Sequence, residues 1–200
     1  TVKGMQAAHE RLGSLSWKRL LTPAILLARE GFVVPEDVAT EVRNKIELDA
    51  GETNFHQYFA GVTAGEIFRQ PELAATLKLL ADDPGAFYTG LPARQIVAQM
   101  QASKGLITLQ DLAAYEAVWR DPIRESWREF EVVAAPPPSS GGFALVQLLK
   151  MRDFSSDLFV ELWHNDAQYV HLLAELEKRV FADRAEYMGD PAHVDVPLAR

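Results

Sequence analysis

The stretch AAPPPSSGGF, residues 134–143, stands between a run of β-formers and a run of apolar helix-formers. Its reading decides how the two are joined. As a nucleophile site, PSSGG lacks the G-x-S-x-G frame that forces a serine onto a strained strand-to-helix elbow. As an anion cradle, Ser139, Ser140, Gly141 and Gly142 ahead of a helix start can aim several backbone N–H groups at one oxyanion. As a corner, three prolines hold an extended segment, Ser140 caps the following helix, and the glycines let another backbone approach. Elementary physics favours the corner, with the cradle and the nucleophile as the sharper alternatives.

Upstream of the corner, β-formers at Tyr115–Ile123 and Trp127–Ala134 flank a polar stretch at 124–129, which predicts a β-hairpin over 115–134 with its turn in that stretch. Downstream, Phe143–Met151 reads as helix. Asn165–Met188 is the longest helical run, with Ala167, Val170, Leu173, Ala174, Leu176, Val180 and Phe181 on its apolar side. Further back, Pro23 predicts a turn at 17–21 followed by a new helix, and Gly31 ends that helix with Phe32 folding back over the cap. A helix follows Pro35. Residues 49–66 read as a glycine-broken loop. Pro71 opens a helix with Leu73, Leu77 and Leu80 inward, and another spans Pro92–Ser103 with Ile96, Val97 and Met100 inward. Thr108–Asp111 (TLQD) has capping-box spacing. The expectation is an α+β chain, mostly helical with one hairpin: helices within 16–112, the hairpin at 115–134, and helices within 142–188.

Composition narrows the chemistry. A formal charge of −8, with no basic stripe, argues against nucleic acid as a partner, and the absence of cysteine excludes disulfides and thiolate sites. The apolar run at 24–28 is far short of the roughly 20 residues a membrane helix needs, so no membrane span is expected in this chain. The five histidines show no H-x3-H or H-E-x-x-H spacing. His164 and His171, if both helical, would lie about 10.5 Å apart along the axis, too far for one metal. Glu175, Glu177, Asp183, Arg184 and Glu186 read as a solvated face with i,i+3 and i,i+4 pairs, or alternatively as a structural lock in which Arg184 sits beside Asp183. Thr1 could in principle act as a nucleophile with its own amine as base, but nothing downstream supports that role.

The blocks REFEVVAAPPPSSGG, HLLAELEKRVFADRAEYMGDP and VDVP, together with TVKG, LTPAILLAREGF, FYTG and GLITLQDLAAYEAVWRDPI, resemble the large subunit of the γ-glutamyltranspeptidases in order and spacing from Thr1 to Pro197. The resemblance implies a middle part of that large subunit, hence part of an N-terminal nucleophile hydrolase of αββα architecture. It implies an enzyme, made as a self-cleaving precursor, that attacks γ-glutamyl amides such as glutathione through a threonyl acyl-enzyme without metal or organic cofactor. That threonine would open the small subunit within a Thr-Thr-His-like motif, which this chain lacks, and the arginine gripping the substrate carboxylate would precede Thr1. No catalytic or substrate-binding residue is therefore expected here; Ser139, Ser140, Gly141 and Gly142 are expected only beside the site, Thr1 becomes an internal position, and the 200 residues alone are expected to be inactive. Implied partners are the rest of the large subunit and the small subunit, and the implied location is periplasmic or secreted. Glu129 replaces a family glycine at the hairpin turn, and Leu176 and Val180 replace smaller residues. The other readings are an acylase of the same superfamily acting on other amides and a non-catalytic helical interaction module.

Overall fold

The computed structural model describes residues 1–49 and 53–198. The chain divides into two compact units, residues 1–118 and 119–200. It is rich in helix and carries two small two-stranded sheets rather than the single hairpin expected.

The first unit runs α1 (Val2–Leu12), α2 (Trp17–Glu30), β1 (Phe32–Val33), α3 (Glu36–Asp49), α4 (Phe55–Phe59), β2 (Ile67–Phe68), α5 (Pro71–Asp82), α6 (Ala86–Thr89), α7 (Leu91–Ala102) and α8 (Leu109–Ala114). Against expectation, α2 passes straight through Pro23. Proline removes one helical hydrogen bond, and packing along α5 offsets the loss. Trp17 Nε1–H donates to the Leu80 carbonyl at 2.8 Å and Lys18 meets Asp82 at 2.6 Å, so the turn before the proline is held from outside. Gly31 has φ of 86°, and a Cβ there would lie 2.6 Å from the Phe68 carbonyl oxygen; only glycine satisfies both the left-handed backbone and the close approach. Phe32 does not fold over the cap. It pairs with Phe68 in the sheet, ring against ring at 6.3 Å.

The inward face of α5 is Ala74, Leu77, Leu80 and Ala81, with Leu73 turned outward; Ala93 and Val97 supply the buried face of α7. The capping box forms as predicted. Thr108 Oγ1 accepts from the Asp111 N–H at 3.2 Å, and the Asp111 carboxylate accepts from the Thr108 N–H and hydroxyl at 2.8 and 2.7 Å. Blocks far apart in sequence meet at Lys3. Its backbone N–H donates to the buried Tyr88 hydroxyl at 2.8 Å, and its ammonium donates to the Tyr115 carbonyl and Glu116 at 2.6 and 2.9 Å. Tyr88 and Tyr115 stack in parallel at 5.6 Å.

The second unit is a hairpin, β3 (Ile123–Trp127) and β4 (Phe130–Ala134), followed by α9 (Ser140–Phe154), a 3-10 turn (Ser156–Phe159) and α10 (Ala167–Tyr187). Residues 115–122 carry no strand, and the first part of the polar segment expected to turn, residues 124–127, belongs to β3. Its charges are accommodated because Arg124 pairs across the ladder with Glu131 at 3.1 Å and Glu125 meets Lys150 of α9 at 2.5 Å. The turn shrinks to Arg128 and Glu129, and its positive φ (54°) falls on Arg128, so the glutamate in place of glycine is tolerated. On α10, Tyr169, Leu172, Leu173, Leu176 and Val180 face inward, while Val170 and Phe181 point out. Val180 is 2% exposed, so the larger side chain fills the centre of this unit. Asp166 caps α10 by accepting from the Tyr169 N–H at 2.7 Å.

Candidate functional site

The corner between β4 and α9 is built from backbone geometry. The Pro137–Pro138 peptide is cis, Pro137 is buried, and the Ser139 N–H closes a turn onto the Pro136 carbonyl at 3.1 Å. The N-cap is Ser139, not Ser140, and no side chain caps α9. Ser140 is the first helical residue, and its oxygen is taken by another partner: Arg184 Nε–H donates to Ser140 Oγ at 2.9 Å. The close approach falls on one glycine only. A Cβ at Gly142 would lie 2.3 Å from the Ala135 carbonyl oxygen and 2.8 Å from Ala134 Cβ, whereas one at exposed Gly141 would meet only Ser139 Oγ at 3.9 Å.

α9 is gripped by α10 at two places. Besides the Arg184–Ser140 bond, Gln147 Nε2–H donates to Asp183. Asp183 and Arg184 thus each reach across to α9; they form no pair with one another. The Arg184 guanidinium lies over the Phe181 ring, 5.8 Å from its centre. The rest of the predicted charged face behaves as a solvated one: Glu175 holds Lys178 at 2.5 Å and Arg179 at 3.2 Å, and these bonds keep its carboxyl below the ordinary range. On the hairpin side, Arg128 meets Asp153 at 2.9 Å, and Lys150 is the main cause of the depressed Glu125 carboxyl.

Two hollows flank the corner within this unit. One, of about 600 Å³, is lined by Arg120, Asp121, Pro136, Pro137, His193 and Asp195 among others. At its edge Arg120 meets Asp190 at 3.1 Å, and Asp190 is held below its usual pKa first by the Ala192 N–H and then by the Arg120 charge. The other, about 560 Å³, lies between β3 and α9 over Ile123, Phe143, Val146 and Met151.

The arrangement does not support nucleophilic chemistry by the corner's own serines. Ser140 Oγ is an acceptor for a guanidinium, and among the described residues no hydrogen bond joins either serine to a histidine. Thr1 stands at the start of α1, its carbonyl accepting from the Met5 N–H at 2.9 Å. His164 precedes α10, packing on Tyr169 at 5.4 Å, while His171 lies within the helix, so the two do not share a helical face. Among the described residues no group of three or more His, Asp or Glu is placed to hold a metal ion, and no helix is long and apolar enough to cross a membrane. The backbone approach expected of the glycines falls on Gly142 alone, while the partners of Gln147 and Arg184, 36 and 44 residues away, were not legible beforehand.

The γ-glutamyltranspeptidase family profile matches residues 1–200. Among curated proteins, the glutathione hydrolase proenzyme of Pseudomonas aeruginosa is 50% identical over all of this chain and 36% of its own length. The acylase ACY 1 proenzyme of Pseudomonas sp. strain SE83 is 38% identical, again over 100% of this chain and 36% of that protein. Among solved structures, the γ-glutamyltranspeptidase of Pseudomonas nitroreducens superposes with a TM-score of 0.94 at 47% identity, over 99% of this chain and 59% of that one. The chain therefore spans little more than a third of the curated relatives it matches.

Proposed function

The chain belongs to the γ-glutamyltranspeptidase family, and from that membership we propose that it forms part of an enzyme cleaving γ-glutamyl amides, glutathione among them. The observation that carries this reading is the 50% identity to a glutathione hydrolase proenzyme across the whole chain. In the proposed mechanism a threonine hydroxyl attacks the γ-glutamyl carbonyl and expels the amine, leaving a threonyl ester that water or an acceptor amine then resolves. Neither a Thr-Thr-His-like stretch nor a paired threonine occurs in these 200 residues, so the nucleophile comes from elsewhere in the same precursor. The chain's part is architectural: the hairpin and its corner contribute to the αββα sandwich, with the rest of the large subunit and the small subunit as partners.

A second reading, an acylase acting on other amides, is favoured by the 38% identity to acylase ACY 1. The two are separated by expressing the complete reading frame and assaying the matured protein on a chromogenic γ-glutamyl anilide and on acyl amides without the glutamyl amine and carboxylate. Preference for the γ-glutamyl substrate supports the first reading, and the reverse preference the second. No self-cleavage and no turnover of either substrate would overturn both. The 200 residues alone are expected to turn over neither; activity abolished by Thr1→Ala would instead make Thr1 the nucleophile. We place the enzyme in the periplasm or outside the cell, which fractionation of the source cells tests.

A further inference from the structure

We propose that Arg184, together with its neighbour Asp183, is a positioning residue that sets where α9 begins. Two bonds from adjacent residues of α10 land on Ser140 and Gln147, which are seven residues apart on α9. Seven residues make about two turns, so Ser140, which accepts from Arg184, and Gln147, which donates to Asp183, both face α10 with some 10.5 Å of helix between them. One contact would leave α9 free to pivot; two at that separation fix its rotation and its axial register. Between them lies Gly142, whose missing side chain lets the helix seat against Ala134 and Ala135. The clamp and the seat therefore act on the same turn of helix from opposite partners.

Arg184 lies in the FADRAEY block and Ser140 in PPPSSGG, so this bond ties together two blocks that are 44 residues apart. The inference rests in part on the proposed γ-glutamyl chemistry, through which it gains a kinetic consequence. A residue that orients the corner without holding substrate changes the orientation-dependent step and leaves substrate binding alone.

The test uses the full-length protein as wild type, Arg184→Ala, Ser140→Ala, the double variant, and Ser140→Thr, which keeps the hydroxyl. With the γ-glutamyl anilide, each alanine variant should lower kcat by about threefold to tenfold at constant KM, and the double variant by no more than the larger single loss. Ser140→Thr should retain wild-type kcat. Losses that multiply in the double variant, a Ser140→Thr protein as impaired as Ser140→Ala, or a lowered melting temperature with kcat intact would overturn the proposal. Hydrogen exchange at the Ala144, Leu145 and Val146 amides, inside the first hydrogen-bonded turn of α9, gives a readout that does not depend on turnover. Faster exchange in both single variants, and no faster in the double, supports the clamp even if the wild-type protein fails on γ-glutamyl substrates and the functional reading falls; unchanged exchange overturns the clamp.

Discussion

Gly141 and Gly142 are adjacent, helical and chemically identical, yet the structure gives alanine opposite effects at the two positions. At Gly141 the new methyl would meet only Ser139 Oγ at 3.9 Å, an ordinary contact. The substitution therefore expresses the helix preference for alanine over glycine, about 0.5–1 kcal/mol of added stability. At Gly142 the same preference applies, but the methyl would sit 2.3 Å from the Ala135 carbonyl oxygen, roughly 1 Å inside ordinary contact, with Ala134 Cβ at 2.8 Å. Neither obstacle is the end of a flexible side chain. Backbone must shift, and overpacking of that kind costs typically about 1–3 kcal/mol, enough to exceed the propensity gain. Guanidinium denaturation of the full-length protein and its Gly141→Ala and Gly142→Ala variants checks this, with the slope monitored so that midpoint shifts report stability. Equal shifts in the two variants, or a Gly142→Ala protein more stable than wild type, would refute the close approach at the corner.

Ser139→Ala and Ser140→Ala should each reduce turnover by less than about tenfold, near 1.4 kcal/mol, because loss of an oxyanion donor typically costs about 10²- to 10³-fold; a thousandfold loss with maturation and melting unchanged would make the serines direct participants. Asp111 is held below the usual carboxylate range by the Thr108 hydroxyl and N–H. A depressed folded-state pKa means the cap stabilises α8 fully above the unfolded value of about 3.9 and loses that contribution as pH falls through the folded value. Carboxyl NMR should place the Asp111 titration below that of free aspartate, with the Thr108→Val variant moving it upward. Tyr88→Phe removes the acceptor of the Lys3 N–H and should destabilise the protein by about 1 kcal/mol in denaturant titration, whereas a wild-type midpoint would show that the bond contributes nothing.

The sequence determined what is settled within a few residues. Thr108 and Asp111 close their box because cap donors and acceptors are three residues apart, and Pro71 starts α5 because in a first turn its missing N–H forfeits no helical hydrogen bond. Family membership was legible for a related reason, as short blocks keep their order whatever surrounds them. The β1–β2 pair, two residues a side, is too short to show alternation, and β3 was hidden because Glu125 and Lys150 neutralise each other only once α9 lies beside the hairpin. Pro23 reads as a helix start because the α5 contacts that hold the turn before it exist only in the folded chain. At the corner, Ser140 and Ser139 are equivalent as text, as are Gly141 and Gly142. Tertiary structure alone distinguished them, because helix rotation decides which oxygen faces Arg184 and which Cα faces Ala135, and that rotation is fixed by partners distant in the chain.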